Sequence, residues 1–439
     1  MLKKYPFLSG TLILTLTGVI SRIIGFFYRI FLSHHIGEEG MGIYQLLAPV
    51  MALSFSLTCA GIQTSISKYT ASYIAGNRYR CAMRILFTGL FISLSLSAVT
   101  ATVLYQNANF IAVSLLMEAR CEPLIRIYAL SLPFASLHSC INGYYYGLKK
   151  SLIPSVAQLV EQTARVCSVF AIYTYSEYMH CSPSIAVTML GILIGEICST
   201  LLVVPVFYRF LSKQPSDGKA SSYFTHGREL MQMSIPLIAN RLSLNFLQSV
   251  ETVHIPNRLT MYGLSRSEAL ANYGVLTGMT YPLILFPGAV TSSVSVLLLP
   301  YISEAGAIGD TKKICSAVRK SVIACLLMGS FCCIVFLLLG PFLGTFLFGS
   351  ELAGAYIQAL SIACPLLYLS GILTSILHGL GKAFHAFLYN VGCLLIRLAF
   401  VFFLIPRMGI PGYLIGIFIS ECFLISVMLI TLNLQIPKA

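Results

Sequence analysis

Apolar runs long enough to cross a lipid bilayer recur from one end of the sequence to the other, and they leave few folds open. Phe87–Val103, Val322–Leu339 and Leu394–Pro406 are three of them. A spanning helix needs roughly 20 mainly apolar residues. Of the 439 residues, 57% are hydrophobic and only 10% charged, whereas a soluble domain carries about 25% charged residues. A water-soluble fold of this size could not cover its surface. A membrane β-barrel would show alternating segments of about ten residues, and the sequence has no such pattern. The expected class is therefore an all-α polytopic membrane protein. Its first apolar segment follows Lys3 and Lys4, exceeds the core of a signal peptide and is followed by no small-residue cleavage site, so it reads as an uncleaved span.

Apolar runs set against polar breaks predict about twelve transmembrane helices, near 7–31, 41–66, 85–106, 123–147, 151–175, 185–208, 230–253, 271–299, 321–345, 353–378, 386–405 and 411–434. Basic residues in the loops set the orientation. With the N-terminus inside, eighteen Lys and Arg fall in cytoplasmic segments, among them Lys149, Lys150, Lys312 and Lys313, against Arg120, Arg258, Arg266 and Arg407 outside. Both termini are thus expected in the cytoplasm. The net charge of +13 is spread over inner loops, where it meets anionic lipid headgroups. A nucleic-acid partner would require those charges gathered on one soluble module, and the sequence has none.

The most polar internal stretch, 209–229, carries Pro215, Asp217 and Gly218. It predicts a cytoplasmic linker between an N-terminal six-helix lobe, 1–208, and a C-terminal one, 230–439. A shift of 232 residues brings Pro133 onto Pro365, Leu137 onto Leu369, Gly147 onto Gly379, Lys150 onto Lys382, Arg165 onto Arg397 and Val169 onto Val401. Six spans per half is an even number, so both halves enter the membrane the same way and form parallel repeats. Two parallel six-helix lobes around a central cavity are the expected architecture.

Ionisable residues at mid-membrane cost roughly 2.5–3.5 kcal/mol each on insertion scales, which makes them functional candidates. In span one Gly18, Arg22, Gly25 and Arg29 are spaced four, three and four, and so lie on one helix face. Glycine leaves room beside each guanidinium. Near the outer end, Arg29 could equally snorkel to headgroups. Span seven repeats the spacing with Arg241, Asn245, Gln248 and Thr252, so the two helices are expected to line one cavity. In span five Glu161 and Arg165 form an i,i+4 pair able to satisfy itself, whereas Arg397 has no such neighbour on its own helix. Arginine stays protonated and grips phosphate through two parallel hydrogen bonds, so the sign of these charges favours an anionic substrate. Pro49 and Pro236 interrupt spans and are candidate gating positions.

Enzyme chemistry finds no support: the sequence lacks a Gly-rich phosphate loop, a nucleophile elbow and a carboxylate cluster at metal spacing. The cysteines are scattered without a Cys-x-x-Cys pair and read as small core hydrophobes. The histidines are dispersed, and His34-His35 offers no third ligand. No cofactor and no metal are expected. Without an ATP site, transport would run on a coupling ion, the membrane potential or removal of substrate on the far side.

The first eighty residues carry a pattern. Ser21-Arg22-Ile23-Ile24-Gly25-Phe26-Phe27-Tyr28-Arg29 is followed by Ile36-Gly37-Glu38-Glu39-Gly40-Met41-Gly42-Ile43-Tyr44-Gln45, then Pro49, Ala60-Gly61-Ile62 and Ser65-Ile66-Ser67-Lys68. It resembles the stage V sporulation protein B and polysaccharide-transporter branch of the multidrug/oligosaccharidyl-lipid/polysaccharide superfamily, whose lipid II flippases have a similar Ser-Arg-x-x-Gly-Phe signature. The resemblance implies a MATE-like fold in a bacterial cytoplasmic membrane, acting as a monomer on a lipid-linked oligosaccharide by alternating access. It implies that Arg22, and with it Arg29, bind the diphosphate; Arg241, Arg397, Asn245 and Gln248 join them from the reading of the spans. Two departures stand out: Ile30 follows Arg29 where those flippases place an Asp, and twelve spans replace a common fourteen. Two other readings stay open, a drug or cation antiporter using Glu251 or Glu196 as its ion site, and a non-transporting scaffold in cell-wall or spore assembly.

Overall fold

The computed structural model describes residues 6–180, 184–211, 223–308 and 311–435, so most of the expected linker lies outside the described residues. Among the described residues there is no strand. The long helices are α1 (Pro6–Leu46), α2 (Ala48–Phe55), α3 (Gly61–Ala75), α4 (Tyr79–Gln106), α5 (Glu122–Gly147), α6 (Leu152–Tyr178), α7 (Val187–Leu211) and α8 (Tyr223–Tyr262). There follow α9 (Arg266–Gly274), α10 (Gly288–Ile308), α11 (Thr311–Phe348), α12 (Glu351–Ser361), α13 (Cys364–Gly379), α14 (Ala383–Phe403) and α15 (Ile410–Gln435). Within α1 the backbone turns at Gly37, at φ 68° and ψ −176°, a left-handed conformation open chiefly to glycine. This is the polar break expected between spans one and two.

Among the described residues seven helical stretches are long and apolar enough to cross a membrane, or eight if α12 and α13, bent by 60° at their junction, form one span. The first of them, Ile13–Ala75, runs for 63 residues and is long enough for two crossings. Of the twelve expected spans this leaves α6 and α8, which are helical but less apolar, and the 271–299 stretch, which is uncharged but broken into short helical pieces at Val275–Thr280 and Tyr281–Leu285. Buried or half-buried charges explain the dilution in the first two: α6 carries Glu161 and Arg165, and α8 carries Glu251.

The chain forms two compact units. The first comprises Met1–Gly25 and Leu46–Phe246, the second Phe26–Gln45 and Leu247–Ala439. Both α1 and α8 therefore contribute one part to each unit. In the first unit α3, α4 and α5 pack together, α7 packs on α5, and α6 on α7. Its core holds Ile62, Ile66, Ile85, Leu86, Tyr144, Tyr145 and Phe207. A Cβ at Gly147 would stand 2.6 Å from the Ser67 carbonyl oxygen, so only glycine admits the approach of α5 to α3.

The second unit repeats the plan: α13 packs on α10, α11 and α15, and α14 on α15. Its core gathers Ile302, Leu373, Ile376, Leu377 and Met428. The α1 segment that belongs here is held where the backbones of Gly42 and Gly274 meet, with no space for a side chain at either position. Serine and threonine hydroxyls inside the helices bond back to carbonyls one turn earlier, as Thr58 does to Ser54 and Ser65 to Gly61, which satisfies them without water. Phe91, Leu327, Phe331, Leu338, Phe346 and Phe403 are exposed. Such an apolar surface suits lipid rather than water. The chain is an all-α, multi-pass membrane protein.

Candidate functional site

The arginines fall into two classes. Arg22 on α1 and Arg241 on α8 belong to the first unit and are exposed. Arg29 and Arg397 belong to the second unit and are partly buried. Each of these two is tied down. Beside Arg22, a Cβ built on Gly18 or on Gly25 meets no atom within 4 Å, so these glycines do not serve helix packing and leave open space along the arginine face. Pro49 is buried in the first turn of α2, and Pro236 is exposed on α8.

Two segments of π-helix, Ser56–Ala60 and Val275–Thr280, interrupt the second span of each half. Wider turns of this kind leave backbone groups short of ideal partners and recur at functional sites. In the first unit the Asn245 amide donates to Ser56 Oγ at 2.7 Å and to the Ala52 carbonyl at 3.3 Å. In the second unit Arg29 Nη1 donates to the Gly278 carbonyl at 3.3 Å and Gln45 to the Thr277 carbonyl at 2.8 Å. Two of the residues singled out from the sequence, Asn245 and Arg29, thus each hold a π segment. Gln248 is exposed in the second unit.

Arg397 on α14 finds its counter-ion on α8. Its Nη2 donates to Glu251 Oε2 at 2.8 Å, and its Nε lies 2.8 Å from Glu251 Oε1. The Tyr413 hydroxyl donates to the same Oε1 at 2.8 Å. A buried charge pair with every partner in place costs little, but either ion alone would be expensive. Glu421 on α15 completes the group; it is buried next to Ser370, and its Oε2 has no hydrogen-bond partner.

The first unit holds a related group. Arg165 Nη2 donates to Glu161 Oε1 at 2.6 Å, and His138 Nε2 lies 2.6 Å from Glu196 Oε2. Ligating atoms of His138, Glu161 and Glu196 all lie within 4.8 Å of one another, the one such triplet among the described residues. It does not fit a metal. A separation of 2.6 Å between nitrogen and oxygen is that of a hydrogen bond, which needs a proton between the atoms. Two ligands at the usual ~2.0–2.2 Å from one zinc ion would stand farther apart, and the Arg165 guanidinium already occupies Glu161.

Sequence comparison places this geometry in a family. The family model described as polysaccharide biosynthesis protein matches residues 7–305. The chain belongs to that family. Within the multidrug/oligosaccharidyl-lipid/polysaccharide superfamily, this polysaccharide biosynthesis family member is similar to stage V sporulation protein B of Bacillus subtilis (strain 168), at 28% identity over 94% of the chain and 81% of the relative. It is similar to the lipid II flippase MurJ of the same organism at 24% identity over 78% of the chain and 66% of the relative. Among solved structures, an inward-facing multidrug resistance MATE family transporter superposes with a TM-score of 0.70 at 15% identity, over 95% of this chain and 94% of the other. At that identity the likeness concerns the fold. The family member is a membrane transporter of the flippase superfamily.

Sequence reading missed how the buried charges of this family member are grouped. Gly191-Ile192-Leu193-Ile194-Gly195-Glu196 repeats as Gly416-Ile417-Phe418-Ile419-Ser420-Glu421 at an offset of 225. At 232, the offset that aligns Arg165 with Arg397, His138 falls on Ser370. Arginine, glutamate and the His138 or Ser370 position thus recur in both units. The offset changes between the fifth and sixth spans, so an ungapped comparison hides the second match.

Proposed function

We propose that the protein translocates a lipid-linked oligosaccharide, a polyprenyl-diphosphate sugar, across the bacterial cytoplasmic membrane by alternating access. The observation that carries this reading is that Arg22 and Arg241, both in the first unit, present exposed guanidinium groups. Arg22 also stands on a face that Gly18 and Gly25 leave open. An exposed guanidinium can present two parallel donors to a phosphate. Arg22 and Arg241 are accordingly assigned as the diphosphate ligands, with Arg29 and Asn245 acting by holding the π segments, and Gln248 available to the sugar. The relatives, a sporulation protein and a lipid II flippase, support a precursor of cell wall or spore cortex as cargo.

The antiporter reading that relies on Glu251 is weakened, because that carboxylate is committed to Arg397 and Tyr413. The protein is read as a monomer with both termini in the cytoplasm and no enzymatic step of its own. The test is translocation of a fluorescent polyprenyl-diphosphate sugar in proteoliposomes. Wild type is expected to move it and Arg22→Ala to lose at least ten-fold in rate, since one charge-assisted hydrogen bond is worth about 1.5–3 kcal/mol. Equal rates would contradict the assignment.

A further inference from the structure

The two units share a buried framework of arginine and glutamate but differ at one place. Where the second unit has Ser370, the first has His138. Histidine is the side chain whose charge ordinarily changes between pH 5 and 8, so the duplicated framework contains a titrating group in one copy. The groups around it come from three helices. Glu161, itself paired with Arg165, faces it from α6 and Glu196 from α7, while Asn142 lies one turn along on α5 itself. Cys59, in the first π segment, and Tyr128, on α5, lie within the electrostatic reach of Glu196.

Charge counting identifies the ligand. Two carboxylates and one guanidinium leave one net negative charge in a buried place, and one monovalent positive charge makes the group neutral. The atom positions specify a proton rather than a metal ion. His138 Nε2 and Glu196 Oε2 are 2.6 Å apart, a hydrogen bond made by the imidazole's own Nε2–H that admits no metal ion, so the added positive charge is a proton on the other ring nitrogen, Nδ1.

Asn142 supplies a second and independent observation. It is buried, with 8% of its surface exposed, and its Oδ1 has no hydrogen-bond partner. Its Nδ2 lies 3.4 Å from His138 Nδ1. In this orientation the amide donates to a neutral imidazole. Half a turn of the amide would bring Oδ1 to the same place, where it accepts the N–H of an imidazolium. The orphaned oxygen is the acceptor that a second proton on His138 would need.

We propose that His138, held by Glu196 and faced by Asn142 and by the Glu161 carboxylate of the Glu161–Arg165 pair, is a proton-binding site through which the transport cycle is coupled to the proton gradient. The coupling part rests on the flippase reading; the binding part does not. Taking up a proton at Nδ1 turns the imidazole into an imidazolium. That strengthens the bridge from α5 to α7 through Glu196 and draws Glu161 away from Arg165. Loss of the proton reverses both changes, so α5, α6 and α7 respond together.

The experiment counts protons. Purified protein in unbuffered detergent solution is taken from pH 8.5 to 5.5, and uptake is compared between wild type and His138→Gln. Wild type is expected to bind one proton more per chain. Equal uptake overturns the proposal. Glu196→Gln, which keeps the acceptor oxygen but removes the charge, is measured alongside and is expected to show the same deficit; wild-type uptake in a folded Glu196→Gln protein also overturns it. In proteoliposomes an inward or outward pH gradient should then alter the rate of polyprenyl-diphosphate sugar transport by wild type and leave His138→Gln unaffected. A preserved gradient response in that variant overturns the coupling. If wild type moves no such lipid at all, the flippase reading falls, while the proton count still decides the site.

Discussion

Arg397 and Glu251 lie 146 positions apart in sequence and meet at 2.8 Å within one unit, joined by the Tyr413 hydroxyl. The pair ties α14 to α8 and is almost wholly withdrawn from solvent. Breaking it from one side leaves an uncompensated charge, which costs about 3–5 kcal/mol in buried pairs. Glu251→Gln and Arg397→Met are each expected to lower the thermal midpoint strongly. Arg397→Met combined with Glu251→Leu should recover most of the loss. Thermal unfolding of the four purified proteins checks this, and additive losses in the double variant would contradict it.

Glycines divide into two kinds that a substitution series separates. Gly274→Ala would push a methyl group into the backbones of Glu38 and Gly42, and overpacking of this sort costs about 1–3 kcal/mol or more. Gly18→Ala and Gly25→Ala add a methyl group to open space. The first variant should be recovered in low yield with a reduced thermal midpoint. The other two should fold as wild type does and, if cargo uses the open space beside Arg22 as proposed, transport more slowly. Expression level, midpoint and transport rate, measured together, distinguish the two kinds.

Asn245→Ala removes the donor to Ser56 and Ala52, a loss of about 1 kcal/mol for an ordinary hydrogen bond. The effect should be local. Backbone amides of Ser56–Ala60 are expected to exchange hydrogen faster by mass spectrometry, with those of Val275–Thr280 unchanged. Equal protection in the two proteins would show that the π segment does not depend on Asn245.

Arg22→Lys keeps the positive charge but cannot present two parallel donors. Transport by this variant should fall well below wild type and remain above Arg22→Ala. Arg241→Ala is expected to raise the substrate concentration needed for half-maximal rate. Wild-type behaviour of Arg22→Lys would show that a point charge is sufficient there.

Much of the fold was legible because membrane helices advertise themselves by apolar length, and because loop glycine marks turns such as that at Gly37. The stripe on α1 could be read from spacing alone, since helical neighbours are local in sequence. Partners from other helices could not. Arg397 showed no acid on its own helix, and nothing in the sequence selected Glu251 among the four glutamates within the expected spans, Glu161, Glu196, Glu251 and Glu421. His138 went unnoticed for the same reason, its partners Glu196 and Glu161 coming from two further helices. A gapped comparison of the halves would have paired Glu196 with Glu421 and drawn attention to both.

Native mass spectrometry of the gently purified protein, wild type beside Arg22→Ala, tests the central claim most directly. The account predicts that wild type carries a polyprenyl-diphosphate sugar, visible as a discrete added mass, and that a folded Arg22→Ala protein has lost it. Wild type and variant carrying the same lipids, or neither carrying a diphosphate lipid while both bind organic cations, would contradict it.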